Sequence, residues 1–308
     1  MKILNFGSLN IDNVYTVEEF VRPGETVTAQ SHTVFAGGKG LNQSLAAARA
    51  GADVIHAGAV GSDGGFLIDL LEQSGVDVSR LLETDTPTGH TVIEVDAEGE
   101  NRILVWGGAN RELTHSYLEK IFSCGEEGDI VLLQNETNLT ETIIRRAHGL
   151  GFRVVFNPSP FPAHPEQLPL EDVDVFIVNE AEATQLTGAP EGTAPATLLE
   201  HLHTKFPSAD LVVTAGELGS IALLSGTQYA QEAFPVTVID TTGAGDTFCG
   251  YFLAAACARR SPQMALSEAS AAAALAVSRA GAAPSIPQVD EVRTFLKKRM
   301  FLQQIELE

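Results

Sequence analysis

Cysteine is scarce in this chain. The 308 residues include only Cys124, Cys249 and Cys257, odd in number and without metal-site spacing. That argues against a disulfide framework or a zinc cluster and leaves buried, reduced thiols as the expectation. Positive charge is also sparse: 19 Lys and Arg stand against 40 Asp and Glu, a formal net charge of −21. Such a surface repels phosphate backbones and anionic lipid, so neither a nucleic-acid partner nor a membrane partner is expected. A small anion held at one local site stays compatible with it. Long apolar runs are missing, and nothing approaches the roughly 18 residues of a membrane span. The opening run Met1–Asn10, broken by Asn5 and Gly7, reads as a strand and not as a signal peptide, so the expected location is the cytoplasm. Sequons at Asn42, Asn135 and Asn138 then read as chance matches. The eight histidines form no convincing ligand pair, and His201 and His203 fall on a solvated face.

What is present is an apolar fraction of 44 %, enough for a sizeable core without staples. Short β-rich runs alternate with helical ones. Lys2–Asn10, Asp53–Ala59, Ile130–Leu133, Val154–Phe156, Val175–Val178 and Leu211–Thr214 read as strands. Leu41, Leu45 and Ala48 share a helical face closed by Gly51, and Thr140–Leu150, Thr247–Ala258 and Met264–Ala280 are further helical patterns. Apolar runs spaced by helices predict an α/β fold whose mostly parallel sheet carries helices on both faces. Two stretches break the rhythm. Val14–Val34 holds two β-like runs around Arg22-Pro23-Gly24-Glu25, and Thr88–Trp106 reads as a hairpin with Ala97–Glu100 at its tip. They predict a small antiparallel sheet standing off the main body, as a lid, an oligomer contact or a plain decoration. The whole of 1–308 is expected to be one domain, with 14–34 and 88–106 forming this separate sheet.

Several segments could carry chemistry. Asp240-Thr241-Thr242-Gly243-Ala244-Gly245-Asp246-Thr247 is a glycine-rich turn, fed by an apolar strand at Val236–Ile239 and followed by a helix. Bare N–H groups in such a turn, with the helix dipole behind them, suit an anion. Asp246 could take the proton of an attacking hydroxyl, or it could simply cap the helix. Ala36-Gly37-Gly38-Lys39-Gly40-Leu41-Asn42 opens another helix without matching a P-loop. Asp12 and Glu136 stand just past strands, where ligands of parallel sheets bind, and an ionised carboxylate suits neighbouring hydroxyls. Asn179, Glu180 and Glu182 could hold Mg²⁺ through water, or be an N-cap with first-turn acids. Thr214–Gly219 could hold a nucleotide or turn the chain. Spaced glycines at Gly58–Gly65 weakly suggest a dinucleotide site, but G-x-G-x-x-G is absent.

In order, these segments resemble the ribokinase family of sugar kinases, also called the PfkB carbohydrate kinases. The matches run from about Ile3 to Pro287. The strongest are GGKG-x-N-Q at Gly37–Gln43 and DT-x-GAGDTF at Asp240–Phe248. Gly7–Asp12, Pro23–Thr26, Gly108–Asn110, Asn157–Pro160, Asn179–Glu182, Leu186–Gly188 and Gly281–Ser285 support them. The resemblance implies a ribokinase-like fold and transfer of phosphate from ATP to a sugar's primary hydroxyl, with D-ribose at O5 leading. Another sugar or a nucleoside, or a non-catalytic sensor on the same fold, are the alternatives. It implies Asp246 as base and Gly243, Ala244 and Gly245 as anion hole. Asn10, Asp12, Gly38, Lys39, Gly40, Asn42 and Glu136 would line the sugar site. Asn179, Thr214, Gly216, Gly219, Gly245 and Ser270 would contact ATP. Glu182 would organise Mg²⁺ through water. Asp240, Thr242, Ala276, Arg279, Gly281 and Ser285 would surround a monovalent cation, K⁺. The resemblance also implies that 14–34 and 88–106 form a lid, which would make a homodimer contact. The chain departs from the family at Ser270, where Asn is frequent, and at Trp106, which would alter sugar choice if it faced the sugar.

Overall fold

The structure is a computed structural model that describes the backbone of residues 1–305. Its strands and helices alternate as the apolar periodicity predicts. The first half contains β1 (Ile3–Phe6), β2 (Asn10–Thr16), β3 (Ser31–Gly37), α1 (Lys39–Arg49), β4 (Val54–Ala57), β5 (Ala59–Gly61), α2 (Gly65–Gln73), β6 (Leu82–Thr84), β7 (Gly89–Val95), β8 (Asn101–Trp106) and α3 (His115–Phe122). The second contains β9 (Ile130–Leu133), α4 (Thr140–Gly149), β10 (Arg153–Phe156), β11 (Val175–Asn179), α5 (Glu180–Thr187), α6 (Pro195–Lys205), β12 (Asp210–Thr214), β13 (Ser220–Leu224), β14 (Thr227–Gln231), α7 (Ala244–Cys257), α8 (Pro262–Val277) and α9 (Val289–Ile305).

An 8-stranded sheet in the order β14-β13-β12-β11-β10-β9-β1-β4 forms the centre. Pairing is parallel from β4 through β12, and β13 and β14 add antiparallel at one edge. Strand side chains alternate between faces, and both faces are buried, which is why these runs are apolar at nearly every position. Ile3, Ile130, Leu132, Val155 and Val212 pack with Leu41 and Leu45 of α1, Phe248 and Phe252 of α7 and Leu266 of α8. Their neighbours Leu4, Val131, Leu133, Val154 and Phe156 pack on the opposite face with Leu118 of α3, Ile143 of α4, Leu186 of α5 and Leu198 of α6. Among the described residues no helix is long and apolar enough to cross a membrane. All three cysteines are free; Cys249 is buried, and Cys124 and Cys257 are half-buried.

A 4-stranded sheet in the order β3-β2-β7-β8 stands apart from the first. It departs from expectation in one respect: β2 and β3, and β7 and β8, pair antiparallel, but β2 and β7 run parallel, so the sheet is mixed.

Other boundaries moved too. The predicted strand Lys2–Asn10 is two elements, because the chain turns at Gly7 where α1 lies against it. A Cβ on Gly7 would sit 2.5 Å from the Gly40 Cα. Asn10 therefore opens β2 of the smaller sheet, and Asp12 lies within that strand and not past the end of β1. Gly58 likewise splits Asp53–Ala59 into β4 and β5, since a Cβ there would meet the Gly7 carbonyl at 2.6 Å. Val236–Ile239 is not a strand despite its β-branched residues. The N–H groups of Ile239 and Asp240 donate to the Val277 carbonyl, at 2.8 and 3.2 Å, so the backbone is tied to the end of α8 instead of a ladder. Helix α7 starts at Ala244, ahead of Thr247, because Gly243 adopts φ +75° and turns the chain into it.

Candidate active site

Two helices begin at the same place. Asp246 lies in the first turn of α7 and is 6 % exposed. Its carboxylate does not cap its own helix: the N-cap is Gly243, which makes no side-chain cap bond. Instead Asp246 accepts from the first turn of α1, Oδ2 from Asn42 Nδ2 at 3.0 Å and Oδ1 from Gln43 Nε2 at 2.9 Å. The remaining lone pairs of both oxygens are left for a proton donor. The Ala244 N–H is turned back to the Thr241 carbonyl at 3.2 Å. Gly245 and Asp246 stand in the first turn, where a helix offers its N–H groups no carbonyl partners and its dipole favours negative charge.

Around the start of α1 the sugar-type residues gather. Gly38 takes φ +95°, and a Cβ there would press on the Asn10 N–H at 3.0 Å. Glu136 Oε2 accepts from the Lys39 N–H at 2.9 Å and from the Ser8 hydroxyl, which itself accepts from the Gly40 N–H at 3.2 Å. Burial pushes the Glu136 carboxyl up, although these hydrogen bonds oppose it. The Lys39 ammonium is held above its usual range, chiefly by Asp246, with burial opposing and Glu136 and Glu182 assisting. On β2, burial raises the Asp12 carboxyl to about 6. The hydrogen bond from Thr91 Oγ1, 2.7 Å, works against that shift and nearby Glu136 adds to it. Asn10 is fixed by Asn110, whose Nδ2 donates to Asn10 Oδ1 at 2.8 Å while its Oδ1 accepts from the Leu9 N–H at 2.9 Å. Asn42 Oδ1 is buried with no protein partner.

Two cavities meet at this point. The smaller, about 200 Å³, is lined by Lys39, Asn157, Asn179, Glu182, Gly245 and Asp246 among others. The larger, about 680 Å³, is mostly apolar, with Phe234, Val238, Phe248, Ala274 and Val277 beside Gly216, Gly219 and Ser270. Thr214, Thr241 and Gly245 border both. Gly219 is required by its surroundings, because at φ +94° a Cβ would strike the Gln231 carbonyl at 2.1 Å. Asn179 and Glu182 form a reciprocal cap of α5. Asn179 Oδ1 accepts from the Glu182 N–H at 2.8 Å and Glu182 Oε2 from the Asn179 N–H at 3.0 Å. This engages one Glu182 oxygen only.

The cation-type residues divide. Asp240 Oδ1 accepts from the Thr242 N–H and hydroxyl at 2.9 and 2.6 Å, and Oδ2 from the Gly281 N–H at 2.8 Å. Burial opposes ionisation of Asp240, but these bonds outweigh it and hold the carboxyl below its usual range. Ala276 and Arg279 lie one turn apart, with the Arg279 N–H on the Ala276 carbonyl at 3.0 Å. The Arg279 guanidinium points away to Glu291 at 2.5 Å, and Ser285 Oγ is turned onto the Ala282 carbonyl at 2.7 Å. Among the described residues no group of three or more His, Cys, Asp and Glu stands as a metal cluster.

Trp106 does not share the face of Asp12. Thr91, hydrogen-bonded to Asp12, pairs across the sheet with Val105, so the next residue projects to the other side. There the Trp106 ring packs against its partner His90, with centroids 5.1 Å apart. Sequence reasoning assigned no role to Ser8, Gln43, Thr91, Asn110, Gln134 or Asn157, all of which hold the cluster together. The available signal was polar side chains inside otherwise apolar runs.

The pfkB family carbohydrate kinase model matches residues 1–289. A ribokinase of Haemophilus influenzae is 35% identical over 298 residues, covering 94% of this chain and 97% of that protein. The structure of Arabidopsis thaliana ribokinase complexed with ribose and ATP is similar at a TM-score of 0.85 and 30% identity, covering 96% of this chain and 98% of that one. Ribokinase from Cryptococcus neoformans in complex with ADP gives 0.83 at 33% identity, over 95% and 99% of the two chains.

Proposed function

Because this chain belongs to the pfkB family of carbohydrate kinases, we propose that it transfers the γ-phosphoryl group of ATP to O5 of D-ribose, giving ribose 5-phosphate. The observation that carries this reading is the junction at Asp246, a fixed, buried carboxylate between an anion-binding helix start and a cluster of hydroxyl-binding side chains. The sugar is held by Asn10, Asp12, Glu136 and the backbone of Gly38, Lys39 and Gly40, and the orphaned Asn42 Oδ1 offers it one more acceptor. The purine lies in the large apolar cavity near Ser270, and the polyphosphate runs past Asn179, Thr214, Gly216 and Gly219 to Gly245. Asp246 accepts the O5 proton as O5 attacks, and the Gly243–Gly245 turn stabilises charge on the transferring group. Lys39 adds positive charge beside it.

The donor set fits a divalent cation held through water, as Mg²⁺ usually is: Glu182 keeps one oxygen out of the α5 cap while lining the small cavity. Mg²⁺ there would neutralise phosphate charge. Asp240, Thr242 and Gly281, with the carbonyls of Ala276 and Arg279 and with Ser285, form the corresponding proposal for K⁺. In one domain spanning 1–308, residues 14–34 and 88–106 act as a lid that excludes water which would otherwise take the phosphoryl group. The lid's edge strand β8 exposes Ile103, Leu104 and Val105 at 57, 70 and 53 %. Such an edge is best covered by a second copy, so the protein works as a homodimer; as a kinase drawing on ATP, it works in the cytoplasm.

The test is ADP release from Mg-ATP over a panel of ribose, deoxyribose, other pentoses, hexoses and nucleosides, with and without K⁺. Ribose-dependent turnover supports the proposal. Turnover on another member alone replaces the substrate, and ATP binding without turnover on any member rejects it.

A further inference from the structure

Gln43 closes the GGKG-x-N-Q segment and lines neither cavity. It is fully buried. Its Nε2 donates to Asp246 Oδ1 at 2.9 Å and to Asn157 Oδ1 at 3.0 Å. Its Oε1 accepts from Gln134 Nε2 at 2.7 Å and from the Cys249 thiol at 3.5 Å. The amide thus has one workable orientation. Reversed, its oxygen would face the Asp246 carboxylate and its NH₂ would face another NH₂.

That orientation is imposed from deeper in the sheet. Gln134 Nε2 also donates to Asn5 Oδ1 at 3.0 Å. Asn5 Nδ2 donates to the Gly40 carbonyl and to Ser44 Oγ, both at 2.8 Å, and Ser44 Oγ meets His56 Nδ1 at 2.8 Å. Burial depresses the His56 imidazole to about 4, so the chain ends in a neutral group. Asn5, Gln43, Ser44 and His56 are each 0 % exposed and Gln134 is 1 % exposed. In this buried network each amide fixes the next, while Gln134 Oε1 and His56 Nε2 are buried without a protein partner.

We propose that Gln43 is a positioning residue for phosphoryl transfer: oriented by Gln134 and Asn5, it holds Asp246 Oδ1 at the angle from which the carboxylate takes the substrate proton. This rests on Asp246 acting as base. Asn42 fixes only the other oxygen, so without Gln43 the carboxylate turns about its Cβ–Cγ bond and loses alignment. Sugar and ATP contacts do not pass through Gln43, so their binding is spared.

The test compares wild type with Gln43→Met, which keeps length and loses both polar ends, and Gln134→Met, which keeps Gln43 but frees its amide to reverse. Gln43→Met is expected to lower kcat by about 10- to 100-fold, with KM for sugar and ATP within about threefold of wild type. Gln134→Met is expected to lower kcat by roughly 3- to 10-fold with the same split. A kcat within twofold of wild type in Gln43→Met, or a loss residing in KM, overturns the assignment. If Gln43→Met does not fold, Gln134→Met decides by the same criterion. Crystal structures of the variants give a readout independent of activity. An Asp246 carboxylate in its wild-type orientation in both overturns this inference, whereas a wild type that phosphorylates no alcohol overturns the functional reading instead.

Discussion

Asn42 Nδ2 donates to Asp246 Oδ2 at 3.0 Å across 204 positions of sequence. The bond joins the first turns of α1 and α7, whose axes approach closely because small residues face each other. A Cβ on Gly250 would sit 2.4 Å from the Ala46 Cβ. Both helix starts therefore point their positive dipole ends into one region, where Lys39 adds a charge. A phosphate brought next to the Asp246 carboxylate would meet repulsion, which that positive potential offsets.

Replacing Asp246 with Asn or Ala should lower kcat by about 10²- to 10⁴-fold, the usual range for losing a general base. The Asn variant carries an extra cost, because its NH₂ must face a donor from Asn42 or Gln43. Ala in turn leaves both buried donors without that acceptor, so some loss of stability is expected in either variant. Sugar binding by calorimetry should stay within a few-fold of wild type in the Ala variant, and ADP release measures the rate.

Sugar affinity should weaken as pH falls through about 6, where Asp12 gains a proton and stops being an acceptor-only group. The sign for stability is opposite. The folded-state value of Asp12 lies above its ordinary 3.8, so the folded protein binds that proton more tightly and this group favours folding as pH drops from about 6 towards 4. Thr91→Val removes the hydrogen bond that holds the carboxyl down and should move the KM limb to higher pH. Sugar KM measured from pH 5 to 8 in both proteins decides it.

Gly37→Ala should damage sugar binding selectively. A Cβ at Gly37 would lie 1.9 Å from Asp12 Oδ2, so the carboxylate must move. Sugar KM is expected to rise by roughly tenfold or more, and ATP binding, built from other strands, should change little.

Asp240→Ala should abolish stimulation by K⁺ while leaving a K⁺-independent rate. The exposed Thr242 N–H turns to water and only the part-buried Gly281 N–H is left short of an acceptor, so a stability loss of about 0.5–1.5 kcal/mol is also expected. Initial rates in K⁺ against a bulky organic cation separate the two effects.

Leu104→Glu on the β8 edge should convert a dimer to monomer in sedimentation velocity. A charge at a position 70 % exposed disturbs no core, so the melting temperature at low protein concentration should fall little. A wild type that sediments as a monomer would refute the dimer.

The alternating core was legible because strand and helix periodicities are local. Ile3, Leu4 and their partners declare two buried faces by being apolar without interruption, and Gly51 announces a helix end, adopting φ +99°. Motif residues such as Gly38, Asp12 and Asp246 were legible for the same reason, since each sits in a short segment with its own chemistry. The error at Val236–Ile239 has a physical cause as well: β-branched composition is satisfied equally by a ladder or by a segment tied to Val277. Periodicity could not say that Trp106 faces away from Asp12, because that follows from the pairing of Thr91 with Val105.

Sequence by itself thus determined the elements, the parallel sheet, the glycine turns and the inventory of candidate site groups. Tertiary structure alone decided which of them meet. That the Asp246 carboxylate faces α1 and does not cap its own helix depends on Asn42 and Gln43, and the orientation of Gln43 depends on Gln134, just past β9, and Asn5 of β1. Hydrogen bonds act over about 3 Å, and only folding brings residues so far apart in the chain within that reach.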